Sequence, residues 1–321
     1  IVEIMSKEFD IPKNLMPKYL HTKHHHSHAG SAFFPSPFEE AMILCVDGVG
    51  EWESTTIWYG CDNHLTLKKS IHFPHSLGLL YSSFTYYLGF KVNSGEYKLM
   101  GLAPYGNPKY VETILANLVL LKEDGSFELN MDYFSFPINK IMINKRFCDL
   151  FDMPVNSPDS LPLQKHMDIA MSIQKVIEII LVKIVNHMYE TYKCENLCLA
   201  GGVALNCVAN TSLLNQTPVK NVWVQPAAGD AGGSIGAAMS FWYEFLKNER
   251  RPNKIDKMKN AYLGPKYNDE HIKYMLKSFQ AVYEKLDQQQ LIDRVASLIA
   301  DAKVVGWFQG RMEFGPRALG N

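Results

Sequence analysis

The chain has 321 residues, of which 47% are hydrophobic and 20% are charged, and its formal net charge at pH 7 is −1. This composition is typical of a globular protein with room for two domains, and the charge balance gives no indication of a surface for nucleic acid or acidic membranes. The 6 cysteines include no CxxC pair, no apolar run reaches transmembrane length, and the N-terminus lacks the layout of a signal peptide. We therefore expect a cytoplasmic protein with reduced thiols.

The first third of the chain predicts a three-stranded hairpin unit followed by a helix. Residues 41–60 form two apolar stretches separated by a glycine turn, and residues 65–73 predict a third strand. Residues 76–90 are typical of a helix with an aromatic face, and Ser76 is a candidate N-cap. Residues 107–160 are mixed in character and favour loops.

The middle of the chain alternates between helical and strand patterns. The clearest helix is predicted from Lys165 to Tyr192, because apolar residues recur there every three or four positions. Short apolar strands at 195–200 and 219–226 are each followed by a glycine turn and a helix. Three hairpin strands, a helix and then alternating strands and helices is the order of the ribonuclease-H-like, actin-like α/β fold.

The last quarter of the chain predicts a linker and the start of a second α/β domain. Residues 251–262 are charged and polar without an apolar period, so we assign residues 1–250 to the first domain and 263–321 to an incomplete second domain. Within the second domain, residues 270–279 and 288–302 are typical of helices, and residues 303–310 predict a strand. The chain begins without a methionine and stops within a Gly/Pro turn, so we expect that both ends are cut.

A histidine-rich segment, "HTKHHHSHAGSAFF", occupies residues 21–34. A helix brings side chains four positions apart to one face, so either His21 with His25 or His24 with His28 presents two imidazoles to a metal. Small residues at 29–32 suit close packing after His28 and favour the second pair.

Two histidines do not complete a metal site, and the sequence offers two carboxylates for the remaining positions. Asp47 and Asp230 each follow a predicted strand beside glycines, where a carboxylate can project into a cleft. The alternative is a polar helix start with one or two buried structural histidines. The residues alone leave both interpretations open.

Three glycine turns share the form of a strand, then glycines, then a small or polar residue. They are "DGVGE" at 47–51, "GGVALN" at 201–206 and "GDAGGSIGAA" at 229–238. Glycine lets backbone N–H groups approach a phosphate, and a following helix adds positive potential. Neither the Walker nor the dinucleotide fingerprint is present, so the turns together favour a nucleotide site without defining its class.

Five long segments together resemble, in order, the O-carbamoyltransferase family of nodulation protein U. They are residues 24–52, 73–106, 199–210, 225–238 and 310–321. The resemblance implies an actin-like N-terminal domain similar to the universal tRNA threonylcarbamoyl transferase. It also implies a C-terminal domain similar to threonylcarbamoyl-AMP synthase.

The resemblance also implies a two-step reaction. Carbamoyl phosphate and ATP, with Mg²⁺, would give carbamoyl adenylate, and the carbamoyl group would then pass to a hydroxyl of a sugar or another natural product. The family's metal is usually iron(II). The family's first strand is expected upstream of Ile1, and we expect the general base there as well.

The resemblance assigns roles to individual residues. The metal ligands match His24, His28, Asp47 and Asp230, with His25 beside them. The nucleotide-binding residues match Gly48, Gly50, Glu51, Gly201, Gly202, Val203 and Asn206. Arg311 and Arg317 are candidate carbamoyl phosphate ligands, since guanidinium groups bind phosphate in a bidentate manner. His75, Glu96 and Lys98 lie in family motifs and are further candidates for acceptor or nucleotide contacts, although a structural Glu96–Lys98 salt bridge would explain that pair equally well.

The expected partners are a small-molecule hydroxyl acceptor and a nucleotide, with a homodimer as a further possibility and neither nucleic acid nor membrane. Two alternatives remain. One is another enzyme on the same fold, such as a threonylcarbamoyl transferase acting on tRNA or a sugar kinase. The other is a non-catalytic scaffold that binds nucleotide or metal.

Overall fold

The computed structural model describes residues 1–253 and 256–320. Its helices and strands alternate along most of the chain. In chain order they are α1 (Val2–Glu8), α2 (His24–Phe33), β1 (Glu40–Val46), β2 (Glu53–Cys61), β3 (His64–His72), α3 (Leu77–Tyr87), α4 (Glu96–Leu102), α5 (Val111–Asn117), β4 (Val119–Leu121), β5 (Phe127–Leu129), α6 (Lys145–Leu150), α7 (Gln164–Tyr192), β6 (Asn196–Ala200), α8 (Cys207–Gln216), β7 (Asn221–Val224), α9 (Asp230–Ser240), α10 (Asp269–Ser278) and α11 (Gln288–Ala300).

The central sheet confirms the predicted α/β fold. Its strand order is β3-β2-β1-β6-β7. Strands β1, β2 and β3 pair in antiparallel fashion, whereas β6 is parallel to β1 and β7 is parallel to β6. Three antiparallel strands extended by parallel strands after a long helix form the ribonuclease-H-like arrangement that the sequence predicts.

Strand β1 lies at the centre of the sheet, and both of its faces are covered. Met42, Leu44 and Val46 pack in one core cluster with residues of α3 and α7. Ile43 and Cys45 alternate with them and pack in a second cluster with α2. This alternation follows from the two-residue period of a strand, and burial on both faces explains why β1 reads as a continuous apolar run.

The two helices predicted at 165–192 and 76–90 are both present, with small differences at their ends. Helix α7 begins one residue earlier than predicted and ends at Tyr192, after which Lys193 adopts a left-handed conformation with φ of 51°. Helix α3 begins after Ser76, whose Oγ accepts a hydrogen bond from the Leu79 N–H at 3.1 Å, as predicted for its N-cap.

Helices α2 and α9 lie unusually close to each other because glycines form their contact. A Cβ atom on Gly236 would lie 1.7 Å from the Ser27 carbonyl oxygen, and one on Gly30 would lie 2.4 Å from the Ser240 Oγ. Any larger side chain would push the helices apart. The start of α9 is therefore held next to the start of α2.

Helix α7 is tied to the segment after α4 by a buried carboxylate. Asp168 accepts hydrogen bonds from Lys109 Nζ at 2.7 Å and from the Asn107 N–H and Gln164 Nε2, each at 2.9 Å. Burial raises the pKa of Asp168, but these hydrogen bonds outweigh it and lower the pKa to about 2, from an ordinary 3.8.

We expect this carboxylate to make the protein less stable in acid. Because its pKa is lower in the folded state, Asp168 stabilises the fold above about pH 4, and this contribution is lost as the pH falls towards 2. At neutral pH, Asp168→Asn should lower the free energy of unfolding by about 1.5–3 kcal/mol, the usual worth of hydrogen bonds to a charged group.

Urea unfolding at several pH values measures this contribution. The difference between the wild type and Asp168→Asn should shrink towards pH 2. Asp149→Asn is the control, because Asp149 pairs with Lys145 at the exposed surface. A difference that stays constant from neutral pH to acid would contradict the assignment.

Two sequence interpretations need adjustment. Residues 107–160, predicted as mostly loop, also contain α5, β4, β5 and α6. The predicted strand at 303–310 is wrong, because the structure shows no strand there. A strand needs a neighbouring strand for its backbone hydrogen bonds, and residues 256–320 contain none.

The chain divides into two compact units, Ile1–Ile255 and Asp256–Asn321. This division falls inside the predicted linker 251–262, of which residues 254 and 255 lie outside the described residues. The predicted helices of the second unit are present as α10 and α11. Among the helices of the described residues, none has both the length and the apolar character that crossing a membrane requires.

Candidate metal centre

Helix α2 places His24 and His28 on the same face. Their Nε2 atoms lie 3.0 Å apart and their ring centroids 4.6 Å apart. The His28 side chain is 1% exposed, whereas that of His24 is 29% exposed at the helix start. The spacing of four residues therefore produces the predicted pair of imidazoles.

Two aspartates from distant parts of the chain join this pair. Asp47, directly after β1, has its Oδ2 atom 3.1 Å from His24 Nε2 and 2.9 Å from His28 Nε2. Asp230, the first residue of α9, has its Oδ1 atom 3.5 Å and 3.7 Å from the same two nitrogens. One ligand atom from each of the four side chains lies within 4.8 Å of the others.

The geometry and chemistry of this cluster fit a divalent cation. Metal–ligand bonds of about 2.1 Å place neighbouring ligand atoms about 3.0–3.4 Å apart. The distances from the two histidine nitrogens to the other ligand atoms are 2.9–3.7 Å, so a small adjustment of Asp230 would suffice. Two nitrogen and two carboxylate ligands suit several transition metals, iron(II) and zinc among them. The Asp230 side chain is 79% exposed, so one side of the cluster is open to further ligands.

The hydrogen bonds within the cluster keep Asp47 charged. Burial raises the pKa of Asp47, but the hydrogen bonds with His24 and His28 outweigh it and hold the pKa well below its usual range. The hydrogen bond with Asp47 raises the pKa of His24, and burial opposes it. Asp47 is therefore an anion at neutral pH, and its negative charge lies where a metal ion would be bound.

The cluster opens into a cleft of about 320 Å³. The cleft is lined by Thr22, His24, Ser27, His28, Glu51, Asp230 and Gly233. Glu51 reaches the start of α2, where its carboxylate oxygens are each 3.1 Å from the His24 backbone N–H. A carboxylate at this position stabilises the helix N-terminus and orients His24.

Asp47 also links the cluster to the predicted nucleotide loop. While its Oδ2 faces the histidines, its Oδ1 accepts hydrogen bonds from the Gly48 N–H at 2.8 Å and the Gly202 N–H at 3.4 Å. Gly201 has a φ of 87°, and a Cβ there would lie 2.2 Å from the Val46 carbonyl oxygen. Only glycine fits this position, and the loop therefore lies directly against the end of β1.

The remaining predicted nucleotide-binding residues lie around the contact between the glycine loop and the end of β1. Val203 lies in a short 3₁₀-helix, Gly202–Leu205, and Asn206 caps α8 by accepting a hydrogen bond from the Ala209 N–H. Gly50, in the hairpin after β1, packs on the imidazoles, since a Cβ there would lie 2.9 Å from His25 Cδ2. The nucleotide role of all these residues stays a prediction.

His25 and His75 have structural partners. The side chain of His25 is buried, its Nδ1 lies 2.8 Å from Thr56 Oγ1, and burial lowers its pKa to about 4. His75 Nδ1 accepts a hydrogen bond from the Leu129 N–H at 3.1 Å. Thus His25 connects α2 to β2, and His75 connects the start of α3 to β5.

Glu96 and Lys98 do not pair with each other among the described residues. Glu96 Oε1 accepts from Ser82 Oγ at 2.8 Å and from the Asn93 N–H at 2.9 Å, and its other oxygen accepts from the Gly95 N–H. It therefore fixes the turn before α4. Lys98 is exposed on the same helix.

Arg311 and Arg317 belong to the second unit. Arg311 Nη1 donates a hydrogen bond to the Gly264 carbonyl oxygen, and Arg317 is half-buried. Their predicted carbamoyl phosphate role stays a prediction.

Sequence reasoning missed how the Asp47 turn is supported. Ser76 Oγ lies 2.9 Å from the Asp47 carbonyl oxygen and 2.6 Å from that of Gly48, in addition to capping α3. A Cβ on Gly78 would lie 2.5 Å from the Asp47 carbonyl oxygen. The Ser76 N-cap signal was visible in the sequence, but no local pattern indicates which turn lies against it.

Comparison with known proteins shows similarity along most of the chain. Uncharacterized protein sll1178 of Synechocystis is 60% identical over 307 residues, covering 95% of this chain and 50% of that protein. Nodulation protein NolNO of Sinorhizobium fredii is 35% identical, covering 93% and 42%, and nodulation protein NolO of Bradyrhizobium diazoefficiens is 33% identical, covering 93% and 52%. The chain thus spans about half the length of the curated relatives it matches.

Among solved structures, HypF of T.kodakarensis matches with a TM-score of 0.37 and 16% identity, over 76% of this chain and 38% of that one.

Two family models match the chain in the order that its two units suggest. The carbamoyltransferase N-terminus model matches residues 2–239, which include the whole four-residue cluster, and the carbamoyltransferase C-terminus model matches residues 296–321. The first match alone covers well over half of the chain, and together with the fold and the cluster it decides the assignment: this chain belongs to the carbamoyltransferase family.

Proposed function

We propose that this protein is an O-carbamoyltransferase that uses a divalent cation, iron(II) in our assignment, to transfer a carbamoyl group to a hydroxyl. The observation that carries the proposal is that Asp47 touches both the His24–His28 pair and the Gly202 N–H. The candidate cation site and the glycine loop at 201–206 therefore share one carboxylate. Family membership supports the reaction class.

The proposed reaction begins with carbamoyl phosphate and ATP. Water cleaves carbamoyl phosphate to carbamate and phosphate, and a carbamate oxygen then attacks the α-phosphorus of ATP, so that carbamoyl adenylate forms and pyrophosphate leaves; Mg²⁺ accompanies the ATP. The carbamoyl carbon is then attacked by an acceptor hydroxyl, whose proton leaves to a base, while AMP departs with the electron pair of the broken C–O bond. The acceptor is a sugar or another natural product in the cytoplasm.

The residues of this chain would divide the work between cation and nucleotide. His24, His28, Asp47 and Asp230 would hold the cation, which would supply Lewis-acid stabilisation of the negative charge that grows on the carbonyl oxygen. The glycine loop at 201–206 would let an adenylate phosphate approach the N-terminus of α8. Glu51 holds the start of α2, so the imidazoles stay oriented towards the cleft.

The near-neutral charge of the chain supports a small-molecule acceptor over tRNA. With 32 basic and 33 acidic residues, the chain carries no net positive charge to draw in a phosphate backbone. The cleft of about 320 Å³ is also of the size of small-molecule sites.

The test is carbamoyl phosphate-dependent release of pyrophosphate from ATP by the native protein, purified without oxygen and supplied with iron(II). We expect pyrophosphate release only when carbamoyl phosphate is present, and labelled carbamoyl groups in a hydroxyl acceptor from a panel of sugars. The Asp47→Asn variant should lose the labelling, because the substitution weakens both the binding of the cation and the hydrogen bond to the glycine loop. ATP consumption that is independent of carbamoyl phosphate would refute the proposal.

A further inference from the structure

Helix α7 buries several polar side chains, and Gln174 and Glu178 are those in the middle of its aliphatic face. Gln174 is 2% exposed and Glu178 is 9% exposed, whereas their neighbours Ile173, Val176 and Ile177 are fully buried apolar residues. A buried amide costs stability unless its donors and acceptors are satisfied. The partners of Gln174 therefore indicate what the polar group does there.

The Gln174 amide pairs reciprocally with the Asn206 amide. Asn206 Nδ2 donates to Gln174 Oε1 at 2.9 Å, and Gln174 Nε2 donates to Asn206 Oδ1 at 3.2 Å. The Tyr81 hydroxyl also donates to Gln174 Oε1, at 3.0 Å, and Gln174 Nε2 lies 3.3 Å from Glu178 Oε1. The network thus joins α3 and α7 to Asn206, the N-cap residue of α8.

Asn206 is the far end of the loop whose near end lies against β1. At the near end, the Gly201 N–H donates to the Ala228 carbonyl oxygen at 2.8 Å, and the Gly202 N–H faces Asp47. At the far end, the Asn206 N–H donates to the Val203 carbonyl oxygen at 2.9 Å. Asn206 uses its side chain for Gln174 and for the α8 cap, so it anchors the loop.

We propose that Gln174 is a positioning residue for nucleotide binding: through Asn206 it holds the 201–206 loop and the start of α8 in the position that faces the phosphates of a nucleoside diphosphate or triphosphate. Gln174 touches no ligand itself, because it lies beneath the loop at 2% exposure. This inference rests on the proposed nucleotide role of the loop.

The test is calorimetric titration of the 321-residue chain with MgADP. Gln174→Met keeps a side chain of similar length but removes both amide hydrogen bonds to Asn206. We expect its dissociation constant for MgADP to rise about tenfold, which corresponds to about 1.4 kcal/mol, the worth of one supporting hydrogen bond. Its affinity for Co²⁺ at the histidine–aspartate cluster should stay that of the wild type.

Ser172→Ala is the matched control. Ser172 is a fully buried polar residue of the same helix, but its Oγ bonds to Asp168 and Tyr110 and not to the loop. It should lower the melting temperature while leaving MgADP affinity unchanged, so general destabilisation is distinguished from loop positioning. If Gln174→Met does not fold, Tyr81→Phe removes a single hydrogen bond to the same amide and should weaken MgADP binding by a smaller factor.

The outcomes separate this inference from the proposed function. Wild-type chain that does not bind MgADP would overturn the nucleotide role of the loop, and with it this inference. Wild-type binding together with unchanged affinity in folded Gln174→Met would overturn this inference and leave the nucleotide site in place. Equal losses in Gln174→Met and Ser172→Ala would assign the effect to the helix as a whole, and would also overturn it.

Discussion

Replacing His24 with alanine is expected to remove tight cation binding from the chain. The Nε2 atom of His24 lies within 3.5 Å of ligand atoms on His28, Asp47 and Asp230, so the substitution removes one of the four donors. Affinity should fall more than about 100-fold, because loss of a direct ligand exceeds the 10–100-fold cost of losing an outer partner. Titration with Co²⁺, followed by absorption, measures the change.

His26→Ala is a matched control for this prediction. His26 lies on the same helix and its side chain is also 29% exposed, but its Nε2 is 2.6 Å from Glu244 and its ring stacks on Trp58. The His26 variant should bind Co²⁺ as the wild type does. Loss of binding in His26→Ala with retention in His24→Ala would show that another pair of histidines holds the ion.

Arg250→Ala is expected to destabilise the first unit strongly. The Arg250 guanidinium is buried, forms no ion pair with a carboxylate within residues 1–253 and 256–320, and lies 4.1 Å from the Phe33 ring centroid. Instead, it donates hydrogen bonds to backbone carbonyl oxygens around the end of α2. These belong to Phe33, Phe34, Ser36, Phe38 and Asp62. A cation at the C-terminus of a helix is favourable, and its loss removes a donor from each of these oxygens, of which that of Phe33 keeps the N–H and Oγ of Ser36.

We expect Arg250→Ala to lower the free energy of unfolding by about 3–5 kcal/mol, as measured by urea denaturation. Arg251→Ala is the control, because Arg251 is 82% exposed and pairs with Glu249 at the surface. Its effect should stay within about 0.5 kcal/mol. Equal effects of the two substitutions would show that the buried guanidinium does not hold the end of α2.

The site was predictable from sequence where its residues lie close together in the chain. The four-residue spacing of His24 and His28 follows from helical geometry, and glycines beside Asp47 and Asp230 mark turns after strands. The structure brings these four side chains together, which their positions in the chain alone could not establish. Gln174 was assigned to an apolar core helix, because a single amide does not disturb the apolar period that defines such a helix.

The sequence alone determined the strands of the central sheet, the main helices of the first unit and the family, because apolar periods, caps and glycine turns are local properties of the chain. The short helices and strands within residues 107–160 carry no such pattern. Only the tertiary structure decided which face of α2 meets Asp47, which turn Ser76 supports, and that Arg250 holds the end of that helix. These contacts join residues from 23 to more than 200 positions apart. Their physical cause is burial: polar groups removed from water must find partners wherever packing brings them, and no local pattern records that choice.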